Sequence, residues 1–517
     1  MLSPQWPRNS ILWTVPMTCS VGTRCKESHT MKNPENSTAQ IGIVGYGVSI
    51  PKRRIDRKVI ATAHRWFNPG LMGAAKGRRS QCRWDEDVIT LATAAIRDAV
   101  PTDRIDTVQD LFLSSTTLPF ADRQNATVVA EACGMSSEIR TLDSTGSLRA
   151  GTSALITALE KASTGVKICV AADSRRAKPG SLDELSFGHG AAAIAIGTDT
   201  VIAEFIGSHS ISDDFVDHYR AAHSPFDYQW EARWARDEGT TKTLPGAVSA
   251  LLGKVGIAAK DVSHVVIPAG SQRDAARLAK VSGLSDQAVI APPELECGHL
   301  GAAQSGLVLS RALDAAQPGQ YILVAGIGQG CDVLLFRTTD HLLEYRDRKR
   351  AEDAIGSGIE DDNYFRFLAF EGTLEMEAGI RAEADLKTAH SVAYRAHDQL
   401  TGLHAGRCGA CGTVQFPKER KCVNPDCHKI DQMQPYPLAD KPARVVSFTR
   451  DALAYHPDPP SVYGMIAFEG GGRLMIEFVE WDDTPLTVGA PVRLVFRIKD
   501  IDHHRGYRRY FWKAIPA

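Results

Sequence analysis

Four cysteines crowd into twenty residues of this chain, Cys408, Cys411, Cys422 and Cys427, within GRCGACGTVQFPKERKCVNPDCHK. Their spacing is C-x2-C-x10-C-x4-C. A C-x2-C pair on a tight turn sets two sulfurs on one ion, and Gly412 suits that turn. The second pair is wider by two residues, with Asn424-Pro425 available for the broader turn. Four thiolates complete a tetrahedral zinc site and leave no open position, so the expected zinc stabilises the fold and performs no chemistry. The other seven cysteines (Cys19, Cys25, Cys82, Cys133, Cys169, Cys297 and Cys331) are scattered. That distribution argues against a disulfide scaffold and for a reducing, cytoplasmic setting.

The chain has 517 residues, 59 Lys+Arg against 61 Asp+Glu, and 43% hydrophobic residues. The length predicts about three or four compact units, and the composition is too apolar for a disordered chain. Balanced charge argues against a dedicated nucleic-acid binder, and no apolar run approaches the roughly 18 residues of a membrane span. Strands are predicted at 41–51, 108–115, 166–174 and 190–199, with helices at 87–100, 125–135 and 148–164. The second half repeats the pattern: helices at 247–257, 273–284 and 303–316, strands at 263–270 and across 320–339. Strands alternating with helices, twice over, predict an α/β fold of two similar halves. EYRDRKRAED (344–353) reads as a solvated face or linker. From Ala443 onward, five or more short alternating segments predict a small β-barrel. Its last segment, HHRGYRRYFWK (503–513), interleaves basic and aromatic residues; it could meet nucleic acid or the phosphates of coenzyme A, or simply be solvated. Residues 1–39 show no sustained periodicity and are expected to be a disordered extension, with Met31 an alternative start.

GRCGACGTVQFPKERKC, followed by YGMIAFEGGGRLMIEFVE and TVGAPVRLVFR, resembles the small zinc-ribbon/OB-fold proteins that accompany acyl-CoA thiolases. The region 41–339 resembles 3-hydroxy-3-methylglutaryl-CoA synthases and the ketoacyl synthase III branch of the thiolase superfamily. The matching pieces are WDEDVITLATAA, LRAGTSALITAL, DHYR with YQWEARWARDEG, ARLAKVSGL, GHLGAAQSG and PGQYILVAGIGQG. The resemblance implies a duplicated thiolase-type αβαβα core, its halves at 40–200 and 201–345. A linker and helical segment (346–398), a zinc ribbon (399–432) and an OB-fold barrel (433–517) would follow. It also implies acyl-CoA as substrate, a homodimer, and a possible separate thiolase partner.

The family's nucleophilic cysteine falls on Leu148, its strand-end Glu on Thr116 and its His on Pro268. Losing a covalent nucleophile costs roughly six orders of magnitude in turnover where one is used. His299 survives where the superfamily holds an oxyanion-hole or base residue, and it could polarise a thioester carbonyl or serve as a structural loop histidine. Cys331 reads as strand packing, and Ser147, the nearest alternative nucleophile, has no evident base. DHYR and the aromatics after it could line an acyl tunnel or pack in the core. Three functions follow: a cysteine-independent retro-aldolase using His299, with Tyr219 or Thr116 in proton transfer; a non-catalytic subunit docking a separate thiolase; or ordinary condensation through an acyl-enzyme.

Overall fold

The computed structural model describes residues 40–160, 165–377, 388–482 and 484–517; the 1–39 extension lies outside them. Nine strands form the main sheet. They are β1 (Gly42–Ser49), β2 (Val108–Ser114), β3 (Arg140–Ser144), β4 (Val166–Ser174), β5 (His189–Gly197), β6 (Ala203–Ser212), β9 (Val262–Val266), β10 (Tyr321–Ile327) and β11 (Gly330–Thr338). The two-residue strands β7 (His218–Tyr219) and β8 (Tyr228–Gln229) pair separately as a hairpin. The sheet order is β9-β10-β11-β6-β1-β5-β4-β2-β3, with a short antiparallel contact between β1 and β6 joining two halves.

Periodic apolar residues place the helices. Helix α1 (Val88–Ala99) begins at a capping box in which Asp87 accepts from the Ile89 and Thr90 amides, and it covers one outer face. Helices α2 (Ala150–Glu160) and α4 (Gln304–Ala315) share a central core with residues of both halves, such as Ile194 and Phe336. Helix α3 (Thr241–Val255) covers the other outer face. The layers are therefore helix, sheet, helix, sheet, helix. Strand β6 is not among the strands predicted from sequence; its half-buried pattern in AEFIGSHSIS is masked by the polar residues on its open face.

Most of the charged run 344–353 is exposed, as a solvated face, and it turns Arg350 and Ala351 inward. Arg350 is buried and lies over the Tyr46 and Tyr345 rings, and Arg346 donates to the Asp314 and Ala316 carbonyls. The segment beyond it returns to the core, where Ile359–Asp361 pairs in parallel with Arg53–Ile55. Buried Arg350 keeps its charge beside Asp347 at 2.7 Å, a pairing that a charge count along the sequence does not reveal.

Two small sheets complete the described chain. A three-stranded ribbon is built around His404–Cys408. A five-stranded sheet comprises Ala443–Asp451, Ser461–Phe468, Arg473–Glu477, Pro491–Asp502 and Tyr507–Pro516. One hydrophobic cluster runs without a break from α1 residues such as Ile96 into Val445, Phe496 and Trp512 of that sheet.

The same contact carries a dense charge network. Fully buried Asp85 has Lys513 Nζ 3.0 Å away, and Lys513 also reaches Glu477 at 3.0 Å and lies over the Trp84 ring. Arg497 bridges Glu86 and Glu480; Arg508 and the Tyr510 hydroxyl each meet Asp87 at 2.7 Å. Arg505 pairs with Asp502, and Arg509 with Asp500. The inner part of the basic run 503–513, Arg508, Arg509 and Lys513, is thus engaged by carboxylates of this chain and clamps the barrel to α1, while 503–506 is exposed.

Candidate functional site

Asp173, at the carboxyl end of β4, organises the site. It is fully buried and accepts from the Thr116 amide (2.8 Å), the Ser115 and Thr117 hydroxyls (2.9 Å each) and the Ala302 amide (2.7 Å). The Thr116 hydroxyl is 3.1 Å from both carboxylate oxygens. One carboxylate therefore ties the end of β2 to the loop carrying His299. Gly301 makes the approach possible, since a Cβ there would sit 2.3 Å from Asp173 Oδ2. Asp173 is not among the residues expected from sequence; its place at the end of the strand VKICVAADS is the signal that marks it.

His299 Nδ1 accepts from the Gly301 amide at 3.2 Å, so Nε2 carries the proton and points at the Pro268 carbonyl, 3.2 Å away. Burial holds this imidazole down at about 4, and the Arg175 guanidinium presses in the same direction. His299 is thus a neutral N–H donor at ordinary pH. Its contact with Pro268 is long for a hydrogen bond, so a second acceptor can share the proton.

Leu148 sits just before the first turn of α2. Beside it the Ser147 hydroxyl donates to the Gly328 carbonyl at 3.0 Å, which leaves no base positioned on Ser147. Gly328 is required there because a Cβ would fall 2.6 Å from Ser147 Oγ and 3.2 Å from the Leu148 amide. The described thiols outside the ribbon lie elsewhere. Cys169 bonds back to Ala154, Cys297 to Pro293, and Cys331 packs in the outer core near Thr243. Burial pushes Cys169 and Cys297 up to about 12 and Cys331 to about 11. None of these three is primed as a nucleophile.

Against the end of β2 lies the segment 217–229. The Arg220 guanidinium donates to the Thr116 carbonyl, and Asp227 holds both Arg220 (3.5 Å) and Arg175 (2.5 Å). Arg175 in turn stacks on Phe187, 3.8 Å from the ring centre, and Phe187 bridges to His299. The aromatics of this region form neither core nor closed tunnel. Tyr219, Tyr228, Trp230 and Trp234 are each about half exposed, at 51%, 55%, 50% and 48%. Tyr219 packs on Tyr228 at the surface, so the structure does not bring it together with His299 and Thr116.

The ribbon cysteines converge. Cys408 and Cys427 sulfurs are 3.8 Å apart, Cys411 and Cys422 sulfurs 3.6 Å, and all four lie within 4.8 Å of one another. A tetrahedron with metal–sulfur bonds of about 2.3 Å has edges of about 3.8 Å. The four residues fit a thiolate-bound metal.

Comparison with known proteins bears on the main sheet region and on the C-terminal barrel. The hydroxymethylglutaryl-CoA synthase of Thermococcus onnurineus is 29% identical over 319 residues, covering 59% of this chain and 89% of the relative. That of Methanothermobacter thermautotrophicus is 28% identical over 348 residues, covering 65% and 99%. The solved structure of an HMG-CoA synthase complexed with CoA superposes with a TM-score of 0.57 at 15% identity, over 68% of this chain and 95% of the other. A point variant of Xanthomonas campestris OleA gives 0.52 at 19% identity over 58% and 98%. Residues 436–497 match the family model described as the C-terminal OB-fold domain of ChsH2. The chain is similar to HMG-CoA synthases in sequence and shares their fold, and its C-terminal segment matches an OB fold. The WDED segment (84–87) meets the OB fold together with Arg53, Arg83 and α1.

Proposed function

We propose that this protein makes or breaks carbon–carbon bonds of acyl-CoA thioesters by aldol chemistry, without an acyl-enzyme. The observations that carry the reading are Leu148, and no thiol, at the head of α2 and a neutral N–H donor at His299. An apolar side chain replaces the attacking group while a donor for a thioester oxygen is kept. Aldol cleavage of a 3-hydroxyacyl-CoA needs a base and an enolate-stabilising donor only. His299 Nε2–H is assigned the donor role. The Thr116 hydroxyl is committed to Asp173, so its part is to position rather than to take a proton. The purified chain is expected to release aldehyde or ketone from members of a 3-hydroxyacyl-CoA panel. His299→Ala is expected to lower kcat about 10²–10³-fold, the scale of losing one oxyanion donor. Full activity in that variant would remove the donor assignment.

The ribbon is assigned a structural zinc held by Cys408, Cys411, Cys422 and Cys427, on the strength of an all-sulfur, closed donor set. When bound, the zinc ties the ribbon's two turns together and takes no part in the reaction. The scaffold alternative, in which the OB module docks a separate thiolase, is less well supported because the module already packs on α1 of its own chain. A homodimer belongs to the proposal, since β3 ends the sheet with only β2 as neighbour; sedimentation velocity measures it. A cytoplasmic setting fits the free cysteines. Among the described residues, no helix is long and apolar enough to cross a membrane.

A further inference from the structure

Aldol chemistry at this site lacks one part, a group that can take the proton of the 3-hydroxyl. Thr116 is committed to Asp173, and Tyr219 faces away. Side chains alternate along an extended strand, so His218 and Arg220 share the face opposite Tyr219. Arg220 on that face reaches the Thr116 carbonyl, which directs His218 toward the end of β2 as well. The stretch is pinned on both sides. Gln329, from the turn packed against Ser147 and Leu148, donates to Asp217 at 3.4 Å, and Asp227 holds Arg220 and Arg175.

His218 is also oriented. Its Nδ1 lies 2.8 Å from Asp217 Oδ1, and its own amide donates to the same oxygen at 2.8 Å. Although burial acts to raise the Asp217 carboxyl, these bonds hold it below the usual range, so it is ionised and accepts the Nδ1 proton. That fixes the tautomer in which Nε2 has a free lone pair, and no partner for Nε2 is found among the described residues. The ring is mostly covered, with 17% of its side chain exposed. Across the hairpin His218 pairs with Gln229, whose side-chain amide donates to Asp183 at 2.5 Å, which places the stretch beside the segment before Phe187. The two imidazoles are thus set in opposite senses, one offering N–H and the other a lone pair.

We propose that His218, oriented by Asp217, is the general base of this site. The inference rests on the acyl-CoA aldol reading above. His218 Nε2 removes the proton of the 3-hydroxyl, and the C2–C3 bond breaks as C3 becomes the carbonyl of the departing aldehyde or ketone. The bond's electron pair becomes a thioester enolate whose oxygen accepts the His299 Nε2–H. The His218 imidazolium then protonates C2, which releases the shortened acyl-CoA and restores the neutral ring. Condensation is the same sequence reversed.

The test pairs two assays on the full chain: cleavage of the 3-hydroxyacyl-CoA panel, and exchange of C2 protons of acetyl- and propionyl-CoA with deuterium oxide. Exchange needs the base and the enolate donor but no bond cleavage. His218→Gln is expected to lose about 10²–10⁴-fold in both assays, at an unchanged melting temperature. Partial recovery of His218→Gly by added imidazole is expected and separates chemistry from folding. Asp217→Asn is expected to lower the exchange rate at an unchanged KM, because an amide replaces the carboxylate that accepts the Nδ1 proton and orients the ring. Exchange that depends on His218, with no cleavage of any substrate, would sink the aldol reading and keep the base. Exchange at wild-type rate in His218→Gln would overturn the base assignment, and absence of both activities in the wild type would overturn both.

Discussion

Lys513→Met is expected to destabilise the folded chain by about 3–5 kcal/mol, the usual cost of stripping one partner from a buried ion pair. Lys513 is 1% exposed and its carboxylate partner Asp85 is fully buried. The ammonium sits 3.0 Å from Asp85 Oδ2 but off the line of a well-formed hydrogen bond, so the attraction is chiefly Coulombic. Without the cation, Asp85 would be left beside Glu86, Glu477 and Glu480, with Arg497 and Arg83 as its remaining counter-charges. Met keeps the aliphatic packing over Trp84 and removes the charge alone. Urea denaturation measures the loss. The double variant Asp85→Asn/Lys513→Met is expected to recover much of it, because both desolvated charges are then gone. Equal destabilisation in the single and double variants would mean that packing, and not charge, holds the OB fold on α1.

Metal removal has the second large effect. Structural zinc in small ribbons contributes on the order of 10 kcal/mol of folding free energy. Here part of that is retained without metal, because Leu403, Ala405 and Val414 of the ribbon region join the core shared with α1. Chelation is therefore expected to lower the melting temperature and expose the ribbon to protease while the thiolase-type core stays folded. One zinc per chain by elemental analysis is the expected stoichiometry. Cys422→Ser, at a buried ligand position, is expected to abolish it. A metal-free chain with wild-type stability and protease resistance would contradict a structural zinc.

What the sequence made legible followed local rules. The cysteine spacing is a property of twenty neighbouring residues, and the helices of the core announce themselves by apolar periodicity. The domain contact was invisible because its partners are distant in the chain: Asp87 meets Arg508 across 421 positions. Read alone, 503–513 was a free basic strip; only the fold brings Asp85 and Asp87 to it. His218 was hidden for a related reason. DHYR drew attention to its tyrosine, but strand alternation assigns the pocket face to the histidine, and that phase is set by the hairpin with Tyr228. His299 was found by resemblance, while its neutral state came from the Gly301 amide, a backbone group that no side-chain pattern encodes.

Carbon–carbon chemistry without a covalent acyl-enzyme is tested most directly by intact-protein mass after incubation with acetyl-, propionyl- and longer acyl-CoA. The wild type is expected to gain no acyl mass at any chain length. Leu148→Cys, which restores a thiol at the head of α2, is expected to gain one acyl group and serves as the positive reference. A stoichiometric adduct on the wild type, mapped by peptide digestion to Ser147 or to any cysteine, would contradict the account.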